Sequence, residues 1–496
     1  MAACATVPLR PNVSAADERA LFVEANKDII EFHMKKVLPD QLALSGLARL
    51  AAIDPEIAIE HTGDQLVLRR GPIVRRFAAP APTAEPEWAA LSAKVIATAR
   101  ALSPEIAATP ADRLDEKIID ASLAALDPYS RYARPEIARE RRAARDGFSG
   151  IGVTLEIQER DVRIASVMPD TPAASAGLLA GDRIVALDGV PVARLAVDEL
   201  RQQLRGPVQT RVQLAVARPG RAEPLEVSVL RTKIIPETVT LTEEGGLAWL
   251  KIRAFNQVTA RSLTDLLRQA HRDLGPALHG IVLDLRDNPG GLLDQSVDVA
   301  SLFLSGGEVV STIGRNPQSM QRFNVTDTHD TETLPMVVLI NGGSASASEI
   351  VASALQDSGR AVVIGTSSYG KGTVQTVLRT QNDGELTVTW AQIITPDGYF
   401  LNTHGVVPTL CTAKLDDTDA SAGALLSGTP SPVPAALAVP RAALDDAGWR
   451  QLRGRCPPGH DKRGIDRLVA TRLLDDAPLF RTVLASMGST RVAANP

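Results

Sequence analysis

The spacing of apolar positions changes character several times along the chain. Over residues 15–55 and 86–145 they recur at helical intervals, as in "LSGLARLAAIDP" and "RLDEKIIDASLAALDPYSRY". Both stretches contain an apolar residue followed by Asp-Pro: Ile53-Asp54-Pro55 and Leu126-Asp127-Pro128. Proline disfavours helix in the residue before it, so each pair predicts a helix stop. Between them "FAAPAPTAEPEW" carries three prolines and reads as a linker. Residues 1–85 are therefore expected to be a helical region with a proline-rich linker, and 86–146 a second helical region.

From Gly147 the texture becomes short β-like runs, "GIGVTLEI", "VRIASV", "RIVALDGVPV", "RVQLAVAR" and "EPLEVSVLR", interrupted by the helical "AVDELRQQLRG". This predicts a small β-rich domain over 147–235. Residues 236–415 alternate differently. The apolar runs "LAWLKI", "GIVLDL", "PMVVLI" and "AVVIG" are separated by helical patterns, the alternation of an α/β domain with buried strands. The remainder, 416–496, opens on an Ala/Ser/Pro/Gly-rich stretch expected to be mobile and closes on a helical tail. The expected fold class is multidomain α+β.

Composition narrows the function classes. A chain of 496 residues has room for about three or four domains. A net charge of −5 without a basic, aromatic-interleaved stripe argues against a nucleic-acid partner. No apolar run reaches the ~18 residues of a membrane span. The cysteines, Cys4, Cys411 and Cys456, lack the spacing of a zinc site, so no metal and no cofactor is expected. Cys411 and Cys456 are either a disulfide or two separate thiols. Residues 1–4, "MAAC", carry no secretory signal as written, yet Ala-Ala-Cys is what flanks the lipidated cysteine of a trimmed bacterial lipoprotein, which makes Cys4 a candidate anchor.

Candidate chemistry lies in "MVVLINGGSASASEIVASALQ", residues 336–356, where an apolar run, a glycine turn and alternating serines lead into a helical pattern. Strand, turn, serine, helix is a way of displaying a hydroxyl nucleophile. The following "AVVIGTSSYGKGT" approaches a phosphate-binding loop, but Gly372 stands where Ser or Thr must ligate magnesium, and "TVQTVLRT" alternates like a strand. Nucleotide binding is set aside on both counts. The lysine that remains, Lys371, serves as a general base if burial lowers its pKa. In a strand opening there, Gln375 shares its face and orients the amine.

The order and spacing of these residues resemble the carboxy-terminal processing (tail-specific) serine proteases. In that family the serine of Ser-Ala-Ser-Glu-Ile is the nucleophile and the lysine of Gly-Lys-Gly, 25 residues later, is the base; Ser346 and Lys371 stand at that spacing, and Gln375 matches the orienting glutamine. "RDNPGG" resembles the segment that supplies an oxyanion donor, implying Ala347 with Gly290 or Gly291, the glycine left open. "LDPYSRY" is similar to a marker of the family's N-terminal part. The resemblance covers roughly 113–412 and implies a protease core of the crotonase/Clp-like β-β-α spiral type. Residues 147–235 are similar to a PDZ domain, in which Gly150, Ile151 and Gly152 cradle a peptide carboxylate.

These likenesses imply a serine endopeptidase acting on proteins or peptides with exposed apolar C-termini, in a bacterial envelope or periplasm, with a homo-oligomer or an adaptor left open. A non-catalytic PDZ scaffold with an inert protease domain is the alternative. His404, in "FLNTHGVVP", is the candidate for a rival serine–histidine site.

Overall fold

A computed structural model describes residues 15–158, 161–326, 331–428, 441–460 and 464–488. The chain divides into two compact units, one of residues 1–139, 239–255 and 259–496, the other of 140–238 with 256–258. Helices and sheets are mixed throughout both, as expected of a multidomain α+β chain.

The larger unit is organised by a six-stranded sheet in the order Val239–Glu244, Leu247–Ile252, Gly280–Asp284, Met336–Ile340, Val362–Gly365, Leu410–Cys411. All pairs after the first hairpin are parallel. Its apolar runs are continuous because both faces are covered. Ile281, Leu283, Val338 and Ile340 pack with helices Thr259–Leu274, Leu293–Ser301 and Ala347–Asp357, whereas Val282, Val337 and Leu339 pack with helices Asp419–Ser427, Gly464–Asp475 and Ala477–Gly488. A helix thus stands at 419–427, inside the stretch expected to be mobile. Thr418 caps it, and Ala422 and Leu426 bury its apolar side. Residues 429–440 lie outside the described residues.

A second sheet joins Gln321–Asn324, Glu308–Ile313, Glu385–Ile394 and Thr373–Arg379, and Arg131–Ala133 pairs with Glu385–Ile394. Helices Ala15–Phe32, Pro39–Leu47, Glu85–Leu102 and Ala111–Ala124 share one core with Leu386 and Val388 of that strand. Residues 57–78, read as part of a helical region, are instead a three-stranded antiparallel meander, Ile57–Thr62, Gln65–Arg70 and Ile73–Ala78. The overlooked signal is a pair of two-residue turns led by Gly63 and Gly71, both at positive φ. Both Asp-Pro pairs follow helical turns, and each aspartate accepts the N–H two residues on, Asp54 from Glu56 and Asp127 from Tyr129.

The smaller unit is a sheet in the order Leu225–Leu230, Arg211–Ala217, Arg183–Leu187, Asp161–Val167, Val153–Gln158 with helix Val197–Arg205. Leu200 and Leu204 of the helix join Ile164, Leu187, Leu214 and Val229 in its core.

Candidate active site

The alternating serines after strand Met336–Ile340 have different fates. Ser344 Oγ donates to the Leu285 carbonyl (2.8 Å) and accepts the Asn341 N–H (3.0 Å), and Ser348 Oγ donates to the Asn288 carbonyl (2.9 Å). Both are fully buried and bind the turn after strand Gly280–Asp284 to the start of helix Ala347–Asp357. Ser346, between them, is partly exposed and is held at φ 57°, ψ −117°. A non-glycine residue there carries a cost of about 1–3 kcal/mol that the surrounding structure must sustain. Such strain clusters at functional sites, and this one falls on a partly exposed serine at a helix N-terminus, where free N–H groups and the helix dipole favour negative charge.

Glu349 supplies the constraint. It closes a capping box on Ser346, accepting the Ser346 N–H at 2.7 Å. The same carboxylate accepts the N–H groups of Gly370 (2.7 Å) and Lys371 (3.0 Å) and the hydroxyl of Ser368. Its burial is complete and pushes its pKa up, while these donors hold it down.

Lys371 sits between glycines that its loop requires. A Cβ at Gly372 would stand 1.8 Å from the Asn402 nitrogen, and Gly370 has φ 92°. Burial, reinforced by the Arg131 guanidinium, lowers the Lys371 pKa against the opposing charges of Glu349 and Asp127. Its Nζ lies 5.3 Å from the centre of the Tyr129 ring. Among the described residues no hydrogen bond joins it to Ser346 Oγ.

Gln375 is placed differently from the expectation. The strand begins at Thr373 rather than at Lys371, and its register shifts between Val374 and Gln375, so simple alternation does not carry from 371 to 375. The Gln375 amide donates to Thr373 Oγ1 (2.9 Å) and Thr389 Oγ1 (3.4 Å), with no hydrogen bond to Lys371 among the described residues.

The two glycines of "RDNPGG" differ. Gly290 packs directly on the serine turn, where an added Cβ would stand 2.9 Å from both the Ala347 nitrogen and Ser346 Cβ. Its N–H, however, is taken by Asn288 Oδ1 at 2.9 Å. Gly291 bridges Phe255, whose N–H donates to the Gly290 carbonyl and whose carbonyl accepts the Leu292 N–H. That pairing leaves the Gly291 N–H facing the other way. Among the described residues neither it nor the Ala347 N–H meets an acceptor.

Of the two alternatives open for Cys411 and Cys456, the disulfide is the one present, and the segment it ties down braces the loops around the site. The Cys456 carbonyl accepts the Ser367 hydroxyl (2.5 Å), Gly459 accepts the Gly342 N–H (2.7 Å), and Arg453 donates to the carbonyls of Ser368 and His404. Glu349 was missed, although Ser-x-x-Glu is a capping signal. His404 turns elsewhere: its ring stacks on Trp449 (4.5 Å) and its Nδ1 lies 2.8 Å from the Phe400 carbonyl.

In the smaller unit, Ile151 is buried and Gly152 has φ 89°, its missing Cβ leaving space 2.3 Å from Thr171. The carbonyls of Ile151 and Gly152 accept the N–H groups of Ala173 and Met168. Their own N–H groups meet no acceptor among the described residues. Gly150 ends a short strand paired at Thr232. Strand Val153–Gln158, which follows, is an edge of its sheet. Among the described residues no cluster suits a metal ion, and no helix is long and apolar enough to cross a membrane. Cys4 lies outside the described residues.

Compared with known proteins, residues 246–411 match peptidase family S41 and residues 163–218 match the PDZ domain. A carboxy-terminal-processing protease of Bartonella bacilliformis is 40% identical over 298 residues, covering 60% of this chain and 69% of that protein. A Staphylococcus aureus protein named "Probable CtpA-like serine protease" is 34% identical over 301 residues, and the match spans 60% of each chain. Among solved structures, a photosystem II D1 C-terminal processing protease aligns at 25% identity over 79% of this chain and 92% of its own, with a TM-score of 0.40.

Proposed function

Since this chain belongs to the carboxy-terminal-processing proteases of peptidase family S41 and carries a PDZ domain, we propose that it is a peptidase whose nucleophile is Ser346 and whose general base is Lys371. Lys371 in its neutral form takes the Ser346 Oγ proton as Oγ bonds to the scissile carbonyl carbon. The N–H groups of Ala347 and Gly291 stabilise the oxyanion. Collapse of the intermediate breaks the C–N bond, and the lysine ammonium returns its proton to the leaving amine. Lys371, neutral again, then takes a proton from water as the water oxygen bonds to the acyl carbon, the C–Oγ bond breaks, and the lysine ammonium returns the proton to Ser346 Oγ.

The observation that carries this reading is the strained, partly exposed Ser346, tied to the Lys371 loop through Glu349. The unmade hydrogen bond between hydroxyl and amine accords with a site whose contacts tighten when substrate binds. Gln375 acts through Thr389 and Thr373 in this arrangement, orienting the loop wall rather than the amine itself.

Substrates are proteins or peptides with exposed apolar C-termini. The tail carboxylate meets the N–H groups of Gly150, Ile151 and Gly152, and the tail adds beside edge strand Val153–Gln158. A disulfide close to the site supports an oxidising compartment such as a bacterial periplasm. The test is cleavage of a reporter protein with an apolar C-terminal tail. Wild type is expected to degrade it and Ser346→Ala to bind it without cleavage. Equal cleavage by both would remove Ser346 from the mechanism, and binding without cleavage by both would favour the scaffold.

A further inference from the structure

Tyr129 belongs to the loop between helix Ala111–Ala124 and strand Arg131–Ala133, far in sequence from the serine and lysine loops. Its backbone is pinned by one carboxylate. Asp127 Oδ1 accepts the N–H groups of Tyr129 (2.8 Å) and Ser130 (3.0 Å) and the hydroxyl of Thr389 (2.8 Å), while Oδ2 accepts the Ser130 hydroxyl (2.5 Å) and lies 3.0 Å from His33 Nε2. Although burial pushes the Asp127 pKa up, the His33 contact and these donors hold it below the usual carboxylate range, so it stays ionised. His33 is fully buried, and the Ser130 hydroxyl in turn accepts the Thr389 N–H at 2.9 Å. The result is a rigid loop that sets the Tyr129 ring over the amine of Lys371.

We propose that Tyr129 is a positioning residue for the general base: its ring, fixed by the Asp127–His33 pair, covers the Lys371 amine and keeps water from it. The proposal rests on the reading of Lys371 as base. Two effects of the ring oppose each other. Its π-face attracts the ammonium form, and its bulk denies that form hydration. At 5.3 Å the amine is near the ~6 Å limit of a cation–π contact, so denied hydration dominates and the neutral form gains. The other charged groups facing Lys371 are Arg131 from its strand, Glu349 from the serine helix and Asp127 from the tyrosine loop. Burial, with Tyr369 and Glu349 nearby, pushes the Tyr129 hydroxyl up, so the ring brings no charge of its own at neutral pH.

The experiment is the pH dependence of kcat/KM on a quenched fluorogenic peptide with a free apolar C-terminus, for wild type, Tyr129→Ala, Tyr129→Phe and Lys371→Arg. The midpoint of the acidic limb does not depend on how much enzyme is folded, so a loss of stability does not imitate the effect. Tyr129→Ala is expected to raise that midpoint by about one pH unit, which is roughly tenfold less activity on the acidic side, recovering as pH rises. Tyr129→Phe, which keeps the ring, is expected to restore the wild-type midpoint. A Tyr129→Ala midpoint equal to wild type, or an equal shift in Tyr129→Phe, overturns the proposal while an inactive Lys371→Arg leaves the base assignment standing. Turnover by Lys371→Arg overturns the base assignment and this proposal with it.

Discussion

Ser346 and Lys371, 25 positions apart, donate their backbone N–H groups to the same oxygen, Oε2 of Glu349, at 2.7 and 3.0 Å. The other oxygen, Oε1, takes Gly370 N–H and the Ser368 hydroxyl. One buried carboxylate therefore sets the distance between the loop that presents the hydroxyl and the loop that presents the amine.

Glu349→Gln tests this directly. An amide has one accepting oxygen, so its NH₂ must face one of the two donor pairs, and each donor left without a partner costs about 1–3 kcal/mol. The expected outcome is a lowered unfolding temperature together with a fall in kcat of about 10²-fold, because small displacements of reacting groups are costly. Differential scanning calorimetry and initial rates measure the two. A kcat equal to wild type would show that Glu349 does not set the site.

Lys371 predicts the shape of the wild-type pH profile. Only the neutral amine accepts a proton, and burial lowers its pKa from the ordinary value of 10.5. Activity is therefore low below the shifted pKa, where the ammonium dominates, and rises as pH climbs through it. Lys371→Arg is expected to be inactive across the range, since a guanidinium stays protonated. An acidic limb that disappears in His404→Ala while Lys371→Arg keeps activity would move the base to His404.

Gln375→Ala is expected to cost about tenfold in kcat/KM, well short of the several orders of magnitude lost in Lys371→Ala. The Gln375 side chain bonds to Thr373 and Thr389 and holds no proton that the reaction moves. Losses of the same size in both variants would assign Gln375 a direct part.

The Cys411–Cys456 disulfide closes a loop with a sequence separation of 45, for which chain entropy gives about 4 kcal/mol. Reduction, or Cys411→Ser with Cys456→Ser, is expected to lower the denaturant midpoint accordingly. Activity should fall as well, because the Cys456 and Gly459 carbonyls hold Ser367 and Gly342. Unfolding curves with and without reductant read the first effect, and rates in the absence of denaturant the second.

Gly152→Val addresses tail recognition. Its φ of 89° suits glycine, and a Cβ would meet Thr171 at 2.3 Å. The substitution is expected to weaken binding of a peptide with a free apolar C-terminus at least tenfold, by about 1.4 kcal/mol. An amidated control should bind weakly to wild type and variant alike. Fluorescence anisotropy reads both, and unchanged affinity for the free-tail peptide would displace the carboxylate site from this loop.

Much of this was legible in the chain. The apolar runs at 247–252, 280–284, 336–340 and 362–365 are the strands of the parallel sheet because burial on both faces leaves no polar alternation to misread. The serine was narrowed to a Ser-Ala-Ser pattern and the lysine to its glycine-flanked loop, since local backbone geometry is written in adjacent residues. The meander at 57–78 lies between two stretches of helical periodicity, 15–55 and 86–145, and its signal is confined to the two short turns led by Gly63 and Gly71.

What the sequence by itself determined is therefore local: which residues make strands and helices, where glycine lets the chain turn, and which hydroxyl and amine are on offer. Tertiary structure decided the relations among them. It tied Ser344 and Ser348 into the turn at 285–288 and left Ser346 partly exposed, gave the Gly290 N–H to Asn288 and that of Gly291 no acceptor among the described residues, and moved Gln375 toward Thr389. It also brought Asp127 and Tyr129 to a lysine more than two hundred positions away. Hydrogen bonds and burial between segments distant in sequence leave no periodicity in either segment, so their partners are read only when the chain is folded.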